Sequence, residues 1–216
     1  MAELVILGAG AHARVLIAAL RAKDLRVAGC IAPETPDARW PSGIPYLGPD
    51  SVLATRDPAH TRLVGGLGGT RSNEARRRLF ERAKAAGFAF ETVVHPRALI
   101  AENVVIEEGA AIMAGAIVQT DCKLCANVIV NTGAIIDHDC HIGAHAHIAP
   151  GACLSGNVSV GEGAHIGTGV SVIQGITIGA DALLAAGCVA VRNVPAGAVL
   201  AGVPSRPTGI TNNVNG

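Results

Sequence analysis

Counted in sixes from Ile100 to Leu184, the chain meets only isoleucine, valine or leucine: Ile100, Ile106, Ile112, Val118, Leu124, Val130, Ile136, Ile142, Ile148, Leu154, Val160, Ile166, Val172, Ile178 and Leu184. A second series lies four residues after each of these, running from Val104 and Ala110 to Ala182 and Cys188. It too is apolar, and most of its members are small. An ordinary antiparallel sheet alternates with period two, and nothing in it would sustain a period of six. The pattern predicts a left-handed parallel β-helix. Each hexad supplies one short flat strand and one tight corner, three hexads close a triangular coil, and fifteen hexads give about five coils. The large aliphatic residue fills the interior and the small one sits beside the corner. Glycines such as Gly109, Gly143, Gly161 and Gly179 permit backbone paths that a Cβ would hinder. Composition agrees: 50% of residues are hydrophobic but only 2% aromatic, so the core must be built from small aliphatic side chains. Cys122, Cys140 and Cys188 fall at the small inward position as buried hydrophobes, whereas Cys125 and Cys153 face outward.

Charge removes several function classes. Lys plus Arg is 17 and Asp plus Glu is 17, so the overall basic footprint of a nucleic-acid-binding protein is absent. The run Arg76-Arg77-Arg78 reads as the solvated face of a helix. No stretch approaches the roughly 18 apolar residues of a membrane span. Met1-Ala2-Glu3-Leu4 lacks the basic start of a signal peptide. Six cysteines in 216 residues are no disulfide framework, and the expected compartment is the reducing cytoplasm.

Ahead of the repeat, Leu4–Leu7 reads as a strand, Gly8-Ala9-Gly10-Ala11-His12-Ala13 as a glycine turn, and Arg14–Ala22 as a helix. This opens a Rossmann-like half-unit with a formal G-x-G-x-x-A match, and Glu34 lies about where a ribose-binding acid would. About 90 residues are too few for a full dinucleotide fold, so a mononucleotide or sugar nucleotide fits the space better. Arg26–Ile31 and Leu63–Val64 read as strands, and the proline-rich stretch 33–50 as a loop. Ser72 is the expected N-cap of a helix over 73–86, ended by Gly87, with Glu91–Val94 as a further strand. The expected organisation is 1–94 as an α/β nucleotide-sugar domain, 95–190 as the β-helix, and 191–216 as a C-terminal segment whose last residues, 211–216, form a tail.

Five of the eight histidines lie between 138 and 165: His138, His141, His145, His147 and His165. None occupies an inward position, so all should project outward or sit at corners, with His147 and His165 stacked one coil apart. A solvated surface is one reading, for His141, His145 and His165. A metal site between subunits is another, as in trimeric β-helix carbonic anhydrases, but no His-x4-His pair is present. The third is a general base at a subunit cleft.

Three segments bear on that choice: Asn131-Thr132-Gly133-Ala134-Ile135-Ile136-Asp137-His138-Asp139-Cys140 with His147 and Leu154-Ser155-Gly156-Asn157-Val158; the turn Gly8–Arg14; and Ala201-Gly202-Val203-Pro204-Ser205-Arg206-Pro207. Together they resemble the sialic-acid-O-acetyltransferase-like family of hexapeptide acyltransferases. Members of that family N-acetylate the 4-amino group of nucleotide-linked sugars such as GDP-perosamine and the bacillosamine-pathway UDP-sugar. The resemblance implies a homotrimer with acetyl-CoA in the clefts between neighbouring β-helices, and no metal. It implies His138 as general base, Asp139 as the carboxylate that polarises it, and Gly156 as the source of a backbone N–H for the oxyanion. It places His147, Gly156, Thr168, Ala186 and Arg206 along acetyl-CoA, and Gly10, Ala11, His12 and Asn131 at the sugar nucleotide. Where UDP-sugar relatives carry neighbouring acids after the second strand, this chain has Ala32-Pro33-Glu34, which leaves GDP- and dTDP-linked acceptors open. O-acetylation of a sialic acid or another sugar hydroxyl is the alternative reaction. A metal-dependent hydratase and a non-catalytic trimeric binding module are the readings from other classes.

Overall fold

The computed structural model describes residues 2–69 and 72–211. The tail expected over 212–216 lies outside them. The chain begins with a parallel sheet, β1 (Glu3–Leu7), β2 (Val27–Ile31), β3 (Tyr46–Gly48), β4 (Thr61–Gly65) and β5 (Ala89–Phe90), in the order β3-β2-β1-β4-β5. Helix α1 (Ala11–Arg21) follows the glycine turn. Helix α2 (Glu74–Ala85) has Asn73 as its N-cap rather than the expected Ser72, whose Oγ accepts from Glu74 N–H at 3.1 Å. Two further expectations need correction. The proline-rich stretch is not all loop: Cys30 N–H donates to Pro45 O at 2.9 Å, and β3 joins the sheet at its edge, where prolines are tolerated. The strand expected over Glu91–Val94 is two strands in different sheets. After β5 the chain turns, and β6 (Val93–Val94) already pairs with Ala111–Ile112 of the β-helix.

From β6 onward, two-residue strands follow one another every six residues to Val189–Ala190. Each pairs in parallel with the strand 18 residues on, as in Ile117↔Ile135, Lys123↔His141 and Ile129↔His147. The large inward residues from Ile112 to Leu184 are all 2% exposed or less. Cys122, Cys140 and Cys188 are buried among them. After Ala190 the chain makes an irregular last turn. Val194 bridges to Ile178, Ala198–Ala201 adds to Leu183–Leu184, and Arg206–Ile210 returns antiparallel. This turn closes the end of the core with Val194, Ala198 and Leu200.

The three faces of the prism differ. On the first, Val93, Ala111 and Ile129 point outward and are buried against Ala13, Leu16, Ile17 and Leu20 of α1. On the second, Leu99, Ile135 and Ile173 remain exposed. The third carries Val105, Lys123, His141, Ser159 and Thr177 in register.

Helix α2 runs along the corner where Gly109, Asn127, His145, Gly163 and Asp181 stack one per coil. Asn73 Nδ2 donates to Gly163 O at 2.9 Å. Arg76 donates to the carbonyls of Asn127 and His145, and Arg77 Nη2 lies 2.6 Å from Asp181. Phe80 lies over Gly109, and Lys84 pairs with Glu108 at 2.7 Å. The helix pitch of about 5.4 Å and the coil spacing of about 4.8 Å are close enough for successive turns to meet successive coils. The arginine run is therefore not a solvated face: Arg76 is 3% exposed and ties the two domains together. Among the described residues no helix is long and apolar enough to cross a membrane.

Candidate active site

His138 and Asp139 occupy the corner between the second and third faces. Successive residues of a strand point to opposite sides, but this is a turn, and Asp139 adopts a left-handed conformation with φ of 58°. Its side chain thereby swings back, and His138 Nδ1 lies 2.7 Å from Asp139 Oδ2. Donation from Nδ1–H to the carboxylate leaves Nε2 as the free, basic nitrogen. That hydrogen bond, supported by the charge of Asp137, raises the His138 pKa above its ordinary value. One coil on, Gly156 lies beneath the ring: a Cβ there would come 2.6 Å from Nε2 and from Cε1. Only glycine admits the imidazole in this position. Among the described residues, the Gly156 N–H donates to no protein acceptor. A base and a free backbone donor therefore stand side by side.

Of the three histidines expected to be solvated, His141 is exposed but His145 and His165 are covered. His145, His147 and His165 are 5–6% exposed. They do face out of the β-helix, but the N-terminal domain covers them. His147 and His165 are cross-strand partners with ring centroids 4.8 Å apart. Burial lowers the pKa of His147 to about 3, with His165, Arg76 and His12 adding to the effect. Burial and Arg76 together lower that of His165 to about 4. His12, at the start of α1, is lowered to about 4 by the same two causes. Asn131 Nδ2 lies 3.1 Å from His147 Nε2, and Asn131 Oδ1 accepts from Thr132 N–H.

His12 and His147 thus meet at the domain junction. Thr168 and Ala186 stack on the corner between the first and second faces, where Gly187 N–H donates to Thr168 O at 2.8 Å, and both are exposed. Arg206 is exposed at the start of the last strand. Within one chain, Asn131, Thr168 and Ala186 lie at one edge of the second face and His138 at the other.

The turn Gly8–His12 sits at the carboxyl ends of the parallel strands. Gly8 has φ of +103°, and a Cβ there would come 2.7 Å from Leu67. Gly10 is the N-cap of α1 and nothing lies within 4 Å of its missing Cβ. This is an open helix N-terminus suited to a phosphate. Beside it lies a cleft of about 360 Å³ lined by Gly8, Pro33, Asp50, Leu67, Arg78 and Arg82, with Leu79 also at its wall.

Other clusters fit less well. His141 is exposed on the third face, 3.6 Å from Cys125 Sγ, with no carboxylate comparable to Asp139, and burial pushes the Cys125 thiol up. Glu81, His145 and Glu162 bring three potential metal ligands within 4.8 Å of one another. Arg77, 3.7 Å from Glu162, already supplies that group with positive charge.

Residues 3–83 match the family described as the PglD N-terminal domain. No curated protein matches the chain. Among solved structures, the chain is 37% identical to PerB from Caulobacter crescentus in complex with CoA and GDP-perosamine, covering 97% of this chain and 98% of that one, with a TM-score of 0.88. A mutant of perosamine N-acetyltransferase from the same organism, with one histidine replaced by asparagine, is 38% identical over 97% and 98%, TM-score 0.89. The acetyltransferase domain of PglB from Neisseria gonorrhoeae is 34% identical over 96% and 100%, TM-score 0.88.

Proposed function

The chain belongs to the hexapeptide-repeat family of nucleotide-sugar N-acetyltransferases, and we propose that it transfers the acetyl group of acetyl-CoA to the 4-amino group of a GDP-linked 4-amino-4,6-dideoxy sugar. The observation that carries this reading is the corner at His138: an imidazole polarised by Asp139 and seated over Gly156. A relative that binds CoA and GDP-perosamine shares nearly the full length of the chain.

The sugar nitrogen attacks the thioester carbonyl as the free amine, its ammonium proton having gone to solvent, and His138 Nε2 takes the second proton that this nitrogen loses as the C–N bond forms. The Gly156 N–H donates to the oxygen that gains negative charge. As the C–S bond breaks, the proton held by His138 passes to the departing sulfur. The new C–N bond and free CoA are the products, and no acyl-cysteine is required. Gly10, Ala11 and His12 hold the diphosphate and sugar at the N-terminus of α1. Asn131 joins them at the sugar nucleotide, His147, Thr168 and Ala186 line the cofactor path, and Arg206 faces its phosphates.

Two features support a homotrimer. The second face leaves Leu99, Ile135 and Ile173 uncovered, as a face packed against a second copy would. The two halves of the proposed site lie at opposite edges of that face, so a neighbouring copy is needed to bring them together. Six free cysteines suit a reducing, cytoplasmic location.

The test is release of free CoA from acetyl-CoA with a panel of GDP-, UDP- and dTDP-linked 4-amino-6-deoxy sugars, with sialic acid as the hydroxyl control. Turnover on a GDP-linked amino sugar is the expected result, and His138→Asn should lower its kcat by about 10²–10⁴-fold. Turnover on sialic acid alone would replace N- by O-acetylation. An unchanged kcat in His138→Asn would remove His138 as the base.

A further inference from the structure

The cleft beside Gly8 has a composition that the acetyl-transfer chemistry does not use. It lies where the carboxyl ends of β1, β2 and β4 meet the 3₁₀ helix Asp50–Thr55 and helix α2. Pro33, Leu67 and Leu79 give it apolar walls, and Asp50, Arg78 and Arg82 give it charge. Arg82 Nη2 lies 2.6 Å from Asp50 Oδ2. Arg78 Nε is engaged 2.6 Å from Glu74. Asp50 is therefore a carboxylate fixed by one arginine at one oxygen, with a second oxygen to present to the cleft. A diphosphate at the N-terminus of α1 would direct its nucleoside along the same strand ends, where ligands of parallel α/β sheets sit.

We infer that Asp50 reads the nucleobase, and that it selects guanine. Guanine offers two adjacent donors, N1–H and the N2 amino group, to the two oxygens of a carboxylate, which is an acceptor only. Uracil and thymine offer one N–H flanked by two carbonyl oxygens, so a carboxylate that meets that N–H also faces a carbonyl lone pair. The preference therefore comes from repulsion of the wrong base as well as attraction of the right one. Arg82 is a positioning residue that holds Asp50. The same cleft explains how the chain can lack neighbouring acids after β2, where it has Ala32-Pro33-Glu34 with a single one: the base-reading carboxylate comes from the segment after β3 instead.

This inference rests on the nucleotide-sugar reading, but it can fail separately. Calorimetric binding of GDP and of UDP to the wild-type protein, Asp50→Asn and Arg82→Met tests it. Wild type should bind GDP at least about 10-fold more tightly than UDP. Asp50→Asn should lose about 10–100-fold for GDP and little for UDP. Arg82→Met, which keeps the carboxylate, should retain the preference for GDP. Equal binding of the two nucleotides by wild type, failure to bind GDP, or an equal loss for both in a folded Asp50→Asn would each overturn the inference. Turnover of amino-sugar nucleotides with no dependence of base choice on Asp50 would remove this inference and leave acetyl transfer standing. An Asp50-dependent preference for GDP without CoA release from any acceptor would do the reverse.

Discussion

His138 and His147 lie nine residues apart in one coil of the same β-helix, and their surroundings are opposite. His138 stands at an open corner with a carboxylate 2.7 Å away, and its proton affinity is raised. His147 lies on a flat face beneath another domain, with Arg76 and two further histidines close by, and its pKa falls to about 3. Both side chains point out of the prism, so the repeat treats them alike. What separates them is whether something covers the face and which charge comes with the cover. The repeat sets direction, and the docked domain sets chemistry.

The harshest way to break the comparison is to remove the frame both histidines share. Ile142 is fully buried in the coil between them. Ile142→Asp places an unpaired charge in an interior whose coils are each held only by their neighbours. The expected outcome is insoluble protein. A soluble variant with a cooperative thermal transition would show that this register does not carry the stack.

The second test separates the two regions by acid. His12, His147 and His165 have folded-state pKa values of about 4, 3 and 4, below the unfolded value of about 6.5. His145 is lowered to about 4 by burial and by Arg76 and Arg77, against the opposing pull of Glu81 and Asp181. Between these values and 6.5 the unfolded chain binds more protons than the folded one, so stability rises with pH. This part of the stability is fully present above about pH 6.5 and is lost as pH falls toward 4. The melting temperature should drop between pH 7 and pH 5, and His165→Asn should flatten that slope by up to about one proton. A flat profile over this window would mean that the junction opens to water in solution.

The same contrast shows what was legible in the sequence. Inward positions could be read because one periodic contact repeats through the stack, and all of those from Ile112 to Leu184 are buried. The stacking of Gly156 on His138 was legible because a spacing of 18 residues is one coil, whereas the partnership of His138 with Asp139 came only from the family resemblance. The burial of His145, His147 and His165 was not anticipated, because their cover comes from α2 and the glycine turn, far away in the chain. A signal was nevertheless present. Apart from His147 and His165 themselves, their outward column is apolar, with Val93, Ala111, Ile129 and Leu183, whereas the third-face column has only Val105 beside Lys123, His141, Ser159 and Thr177, and apolar neighbours in an outward column imply a covered face. Asp50 had no comparable signal, since it lies after a strand hidden among prolines.

The smallest expected effect probes the open corner alone. Asp139→Asn keeps the size of the side chain and an amide oxygen as acceptor, but removes the charge that stabilises the His138 imidazolium. Because that hydrogen bond is the largest cause of the raised pKa, the His138 pKa should fall. A base must be unprotonated to act, so the acidic limb of the kcat/KM profile should move to lower pH. At high pH, where His138 is neutral in both proteins, the variant's weaker base should give a lower kcat, by a modest factor rather than the 10²–10⁴-fold expected for losing the base itself. Asp139 is exposed and makes no core contact, so the melting temperature should stay where it was, and a shifted limb would be a statement about His138 rather than about the fold. A limb that does not move would mean that in the working enzyme, with acetyl-CoA and a neighbouring subunit in place, His138 is oriented by some other group and the pairing with Asp139 belongs to the resting chain only.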